Sequence, residues 1–490
     1  MSGVDDPENP DIGRHASRGA TFTVGAQLVR LVIQLAGIVV LARLLSPSDY
    51  GYLTMVVAII GVAELFRDFG LSFAAIQAKT LTHQQQSNLF FINTGIGALA
   101  SVVTACLAPL IAGLYGEPQL VPIVLALSVT FLINGVTTQF RAKAARDLKL
   151  AALAVTETIA PLVGLVIAIG IALAQGGYWS LVAQQIVTAL ATLAGSIVIA
   201  KWWPSRYRRG AGVRSLLGFG GSVFTSQVIT YVSRNVDSVI VGAFFGPSQL
   251  GIYNRAFQLL LLPLNQLNAP ANRVAMPVLS RLQDDPRRFR DFLLTGQTLL
   301  LHLIMVTFAV AWLVADPLVP LLLGDQWTGV IDIFRILAIA GCFQAAGFAT
   351  YWCFLALGLS KRLLFWSLTT RPFMIAAIAF GAAVGGVEGV AWAYTIATAV
   401  LWPLGIVWVA HRTEVPALAV FVNGLRIIAL YAVAATVAEL LRRLLDIDGL
   451  LGAGVAFAAF AVAVVALALP FRVFRGDVKT FKKALKRGFS

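Results

Sequence analysis

The chain has 490 residues, of which 58% are hydrophobic and only 12% charged, and its mean hydropathy is +0.83. A soluble domain carries about 25% charged residues, so the composition excludes a soluble globular enzyme, a disordered chain and a disulfide scaffold. It specifies an all-α polytopic membrane protein. The net charge of +14 is read as basic residues holding loops on the cytoplasmic side rather than as a nucleic-acid surface. Cys106, Cys342 and Cys353 lie inside apolar runs, and the four histidines are scattered. Neither a disulfide framework nor a metal cluster is expected, and no cofactor.

Residues 1–18 are polar, lack the short apolar core of a cleavable signal, and read as a disordered cytoplasmic tail. A hydrocarbon core of ~30 Å needs ~20 helical residues. On that rule fourteen spans follow, at about 19–44, 50–69, 88–113, 119–140, 151–174, 178–201, 215–245, 250–276, 292–315, 330–357, 363–384, 388–410, 420–441 and 449–471. Turn signals separate them: SPSD at 46–49, YGEP at 115–118, QGG at 175–177, GPSQ at 246–249 and GG at 385–386. The segment 316–329 is short and half apolar, a re-entrant piece or a lid. Nearly all basic residues outside the spans fall on the side of the two termini, while the opposite loops hold Arg442 and Arg443. Both termini are therefore expected in the cytoplasm. The basic stretch 472–490 spaces Phe474, Val478, Phe481 and Leu485 helically, which fits either an amphipathic helix on the anionic leaflet or a frayed tail that enforces topology.

The sequence also repeats at an offset of 200 residues. VVLARLLSPSDYGYL at 39–53 aligns with VIVGAFFGPSQLGIY at 239–253, matching Pro47 to Pro247 and Gly51 to Gly251. Six spans per copy make the repeats parallel, related by an axis along the membrane normal. The expected layout is a first six-helix bundle at 19–210, a second at 211–412, two added transmembrane helices at 413–471 and the basic tail at 472–490.

ARLLSPSDYGYLTMV (42–56), DSVIVGAFFGPSQLGIYNRAFQL (237–259) and PVLSRLQDDPRRFR (277–290) resemble the multidrug/oligosaccharidyl-lipid/polysaccharide exporter superfamily, and within it the Wzx-type polysaccharide transporters. The resemblance covers nearly the whole chain. It implies a multi-pass inner-membrane flippase, not an enzyme, that carries undecaprenyl-diphosphate-linked oligosaccharide from the cytoplasmic to the periplasmic leaflet by alternating access. It also implies the polysaccharide polymerase and export machinery as partners, beside membrane lipids. A cation-coupled drug exporter and a peptidoglycan-precursor flippase of the same superfamily are the alternatives. Such a cargo demands a wet, cationic cavity, because a bare diphosphate in hydrocarbon costs many kcal/mol.

Ionisable residues at membrane depth are the candidates for that cavity. Arg30, near the middle of span 1, and Arg234, deep in span 7, are the expected diphosphate ligands, since guanidinium donates bidentate hydrogen bonds to phosphate. Arg234 alternatively pairs with Asp237 at i+3. Arg255 either lines the outer cavity or snorkels. Arg335 has Asp332 three residues before it, and Arg371 precedes Pro372, where a kink would expose carbonyls. Gln27, Gln227 and Asn235 add neutral polar groups for sugars or for helix–helix bridges. Glu64 and Asp68 share a face of span 2 and make either a proton-coupling pair or a charge cluster with Arg67. Glu157 in span 5 has no local partner, so it is either protonated or paired with a base from another span. Arg43 and Arg426 read as interface anchors, His302 as a satisfied core histidine, and spans 13 and 14 as poor in polar residues and facing lipid or a tail groove.

Overall fold

The computed structural model describes residues 30–68, 82–208, 214–411, 413–471 and 474–478, with the side chains of 62–68, 214–230 and 232–234 outside that description. No strand occurs among the described residues. The helices are α1 (30–44), α2 (Pro47–Asp68), α3 (His83–Tyr115), α4 (Leu120–Arg146), α5 (Leu150–Leu173), α6 (Trp179–Ala200), α7 (Arg214–Arg281), α8 (Pro286–Leu313), α9 (Ala315–Leu323), α10 (Val330–Ala356), α11 (Ser360–Ala410), α12 (Ala417–Leu444) and α13 (Gly449–Ala468). Among the described residues, nine helices are long and apolar enough to cross a membrane, and the chain is a multi-pass membrane protein. Their outward faces carry large apolar side chains such as Leu110, Phe380 and Leu451, which lipid can solvate without cost.

Local chemistry sets where these helices begin and end. Thr82 caps α3 by accepting from the Gln85 amide at 3.2 Å, while the Gln85 side chain accepts from the Thr82 amide at 3.0 Å. Gly116, with φ of 68°, ends the same helix in the left-handed conformation. Asp285 caps α8 ahead of Pro286. Ser46 and Asp49 hydrogen-bond one another where α1 passes into α2. The two longest helices are interrupted rather than continuous: α7 breaks at Gly246 and α11 at Gly385 and Gly386. Both breaks fall on turn signals. Pro372 lies inside α11 well before its non-helical residues, so the interruption belongs to the glycine pair and not to the expected kink beside Arg371. The segment 316–329 is a nine-residue helix, α9, followed by a 3-10 turn at Asp325–Trp327.

The chain divides into two compact units at Gly251/Ile252. In the first, α3 packs on α4, α5 on α6 and α4 on α6, and α2 lies against α3 and α4. A cluster of Leu41, Leu45, Leu165, Ala168, Ala172 and Leu181 joins α1 to α5 and α6. The repeat-related turns also meet within this unit. A Cβ on Gly51 would come to 1.8 Å from the Pro247 carbonyl oxygen, and one on Gly251 to 1.9 Å from that of Pro47. Only glycine admits so close a backbone approach, and the contact is reciprocal between the two copies of the motif.

In the second unit α10 packs on α11, α12 on α13, and α8 on both α10 and α12. The α8–α12 contact is polar. The Asn423 amide donates to Gln297 Oε1 at 2.8 Å, and Gln297 donates to the Val420 carbonyl at 3.2 Å. Two buried amides that satisfy one another bind helices together in an apolar medium. Span 13 therefore has a polar face, with Asn423 buried against α8, while Leu418, Val422 and Val433 of the same helix stay exposed.

Candidate functional site

Three groups of ionisable side chains stand out, one in the first unit and two in the second. In the first, Arg30 Nη2 donates to Glu157 Oε2 at 2.7 Å and Arg141 Nη2 to Glu157 Oε1 at 2.5 Å. The single carboxylate thus bridges guanidiniums from α1 and α4. Its side chain is 37% exposed, with Arg30 at 38% and Arg141 at 46%. Glu157 therefore has its partner in another helix, the second of its two sequence readings. The cluster sits near the C-terminal end of α4 and the start of α5, so Arg30 serves that end of the helices rather than their middle. The adjoining turn is basic as well. Lys143 and Lys149 flank Asp147, and the Lys143 hydrogen bond holds the Asp147 carboxyl below its ordinary range despite some burial.

In the second unit Asp477 packs against both α8 and α12. It accepts from Arg426 Nη1 at 2.6 Å and Nη2 at 3.0 Å, and it lies 3.2 Å from His302 Nε2. His302 Nδ1 is 2.9 Å from the Tyr431 hydroxyl, and Phe474 lies under the Arg426 guanidinium. Burial alone would raise the Asp477 pKa, but hydrogen bonds from His302 and Arg426 and the Arg426 charge outweigh it and bring it down. Arg426 is thus not a lone interface anchor: at 20% side-chain exposure it is four-fifths enclosed and holds the segment 474–478. His302 is the satisfied histidine that was expected.

The third group is built on Asp316 of α9. It accepts from Arg335 Nη2 at 2.8 Å and has Arg442 Nη2 at 3.4 Å. Arg335 also lies over the Trp312 ring, and Arg442 and Arg443 both bind Glu439. The partner of Arg335 is thus Asp316 and not Asp332, which is exposed. Arg442 and Arg443, read as loop charges, belong to this cluster.

The other sequence candidates distribute as follows. Arg255 is buried at 4% exposure, donates to Gln258 at 2.7 Å and lies over Trp327, so it does not snorkel. Asn235 donates to the Tyr231 carbonyl one turn back, and Asp237 is buried and accepts from the Ser238 amide. Arg371 is half-buried on α11. Gln27 lies outside the described residues, as do the side chains of Arg234 and Gln227 on α7 and of Glu64, Arg67 and Asp68 on α2. Among the described residues no group of three potential metal ligands forms. Arg141 lies just past the fourth span of the sequence reading, 119–140, and only the fold brings it to Glu157.

Comparison with known proteins gives these features a setting. The family model described as polysaccharide biosynthesis protein matches residues 40–332. The chain is 26% identical over 338 residues to the lipopolysaccharide biosynthesis protein WzxC of Escherichia coli K12, covering 67% of each. It is 24% identical over 401 residues to the teichuronic acid biosynthesis protein TuaB of Bacillus subtilis 168, covering 81% of this chain and 82% of that one. With the succinoglycan biosynthesis transport protein ExoT of Rhizobium meliloti 1021 it shares 24% over 389 residues, 76% of each. Among solved structures, the lipid II flippase MurJ in an inward closed conformation superposes with a TM-score of 0.68 at 13% identity, over 92% of this chain and 99% of that one. An inward-facing multidrug resistance MATE transporter superposes with 0.61 at 15% identity, over 80% and 95%. These two likenesses speak for the fold. With the family model matched over more than half its length, the chain belongs to the polysaccharide biosynthesis protein family, as a Wzx-type member of the multidrug/oligosaccharidyl-lipid/polysaccharide exporter superfamily.

Proposed function

We propose that the protein is a flippase that moves undecaprenyl-diphosphate-linked oligosaccharide from the cytoplasmic to the periplasmic leaflet of a bacterial inner membrane, for exopolysaccharide, capsule or O-antigen synthesis. Fourteen spans with both termini in the cytoplasm, in two six-helix halves at 19–210 and 211–412 with an addition at 413–471, supply the architecture for alternating access. The polysaccharide polymerase and export machinery are the proposed downstream partners.

The observation that carries this reading is the pair of guanidiniums, Arg30 and Arg141, on one accessible carboxylate. A transporter of cations would place carboxylates in excess at such a position. Here arginine is in excess, which favours an anionic group, and planar guanidinium suits phosphate oxygens. Arg234 is proposed as a further diphosphate ligand, with Arg255, Arg335 and Arg371 as lesser contributors to a cationic path and Gln27, Gln227 and Asn235 as sugar-contacting groups. Glu64, Asp68 and Asp237 are the proposed ion-coupling carboxylates beside Glu157.

The test is a deletion strain in which the leaflet position of lipid-linked saccharides is probed. Accumulation of undecaprenyl-linked oligosaccharide facing the cytoplasm, relieved by wild type and not by Arg30→Ala at equal protein level, is the expected result. Normal arrival of these lipids in the periplasm without the protein would overturn it and move the drug exporter forward. Loss of viability with accumulated cell-wall precursor would favour the peptidoglycan-precursor flippase instead.

A further inference from the structure

We infer that Glu157 is an internal stand-in for the cargo's diphosphate, and that Arg141 is the second arm of the clamp it occupies. This inference rests on the proposed flippase reading and names how its site is emptied and filled. Three observations carry it. First, each oxygen of the Glu157 carboxylate is taken by a different arginine, Oε2 by Arg30 and Oε1 by Arg141. That is the geometry in which two oxygens of a phosphate group would be held. Second, the two guanidiniums come from separate helices, α1 and α4, and the carboxylate from a third, α5. Packing and the short 147–149 turn bring the three helices together, and the carboxylate bridges the two guanidiniums where they meet. Third, all three side chains are more than a third exposed, so an incoming anion can reach the arginines.

The physics of the exchange follows from charge. Two bare guanidiniums brought together at the edge of an apolar slab repel one another and lack compensation. Glu157 neutralises one and leaves a single positive charge in excess. A diphosphate carries more charge and more acceptor oxygens than a carboxylate, so it can displace Glu157 and bind both arginines with charge-assisted hydrogen bonds. The return of Glu157 then offers the arginines an alternative partner and lowers the cost of releasing cargo. Without it the empty clamp would hold diphosphate too firmly for turnover. Glu157 is thus a positioning and release residue rather than a ligand of the cargo. The nearby basic groups, Lys143 and Lys149, have Asp147 between them, so they attract the anion without closing on it.

The experiment uses the full-length protein in nanodiscs and measures binding of undecaprenyl diphosphate, inorganic pyrophosphate and undecaprenol. Glu157→Gln keeps the shape and removes the competing charge. It should bind undecaprenyl diphosphate roughly tenfold more tightly than wild type while lowering flipping in the deletion strain, because release is slowed. Arg141→Ala should weaken binding by roughly tenfold, and the double variant should return toward wild type. Undecaprenol binding should not change in any of them. Pyrophosphate following the same order places recognition in the phosphates alone; no pyrophosphate binding places it in a lipid-borne diphosphate. Glu157→Asp, whose shorter reach frees one arginine, should fall between wild type and Glu157→Gln and serves if the glutamine variant is unstable. Equal or weaker diphosphate binding in both Glu157 variants, at unchanged thermal stability, would overturn the exchange. The flippase reading would survive that result if wild type still relieves the cytoplasmic accumulation, and would fall if the deletion strain shows none.

Discussion

Two ion clusters built from the same residue types behave as opposites. In the first unit the Arg30–Glu157–Arg141 bridge is open: each side chain is more than a third exposed and arginine outnumbers acid. In the second unit the Arg426–Asp477–His302 network is closed, with Asp477 at 12% side-chain exposure and Arg426 at 20%, and its acid is shared among Arg426, His302 and, through the histidine, Tyr431. A buried pair that satisfies its own hydrogen bonds contributes to holding helices in place, whereas an exposed and under-compensated one contributes little stability and leaves charge for a ligand. On the proposed function, the difference makes the first cluster the candidate for cargo and the second a structural brace.

Substitutions can break this contrast, and the largest effect is expected at Arg30. Arg30→Ala should reduce complementation of a deletion strain by roughly a hundredfold, the scale of a lost charge-assisted ligand, with thermal stability unchanged. A fall in melting temperature equal to that of a core variant would remove the contrast. Next comes Arg426→Ala, which leaves Asp477 enclosed without its bidentate donor. It should cost about 3 kcal/mol in stability, read as a lowered melting midpoint in detergent, and Arg426→Ala combined with Asp477→Asn should recover part of it.

A smaller effect is expected at the Asp316 cluster. Arg335→Ala removes a partly buried ion pair and a ring contact, worth about 1 kcal/mol. The pH dependence of tail docking sharpens the comparison from another side. The folded-state pKa of Asp477 lies below the ordinary 3.8. Its contribution is therefore fully present above that value and lost as pH falls through the lower, folded-state one. Protease access to the segment 474–478 should be unchanged from neutral pH down to moderate acidity and should rise only in strong acid, and Asp477→Asn should flatten that rise. Least of all, Lys143→Ala in the last turn of α4, whose partner Asp147 is an i+4 neighbour, should cost no more than about 0.5 kcal/mol.

Much of the fold is legible in the sequence because its signals are local. Apolar runs mark helices, and the glycines of 246 and 385–386 interrupt α7 and α11 where extended apolar sequence alone would run on. The match of Pro47 to Pro247 and Gly51 to Gly251 likewise anticipates two equivalent turns, though their reciprocal contact appears only in three dimensions. The site is less legible. Arg30 and Glu157 each stand out as charges inside spans, yet they are 127 residues apart and nothing in the sequence pairs them. Proximity along the chain misleads at Arg335, where the i−3 neighbour Asp332 is exposed and Asp316 of the short helix α9 is the partner. Arg141 reads as a loop cation because basic residues at span ends are common. Asp477 is the sole acid of the basic stretch 472–490, and an acid kept among so many bases calls for a partner.

The sequence by itself determined that the chain crosses the membrane many times, where its helices break, which side its basic residues favour and which superfamily it resembles. Hydropathy, glycine and charge act over a few residues, so no neighbouring helix is needed to read them. Tertiary structure alone decided which charges meet: Glu157 between Arg30 and Arg141, Asp316 beside Arg335, Asp477 against Arg426 and His302. An ion pair in a helical membrane protein depends on how far each helix slides and turns against the next, and many packed side chains set those offsets together, which no single stretch of sequence encodes.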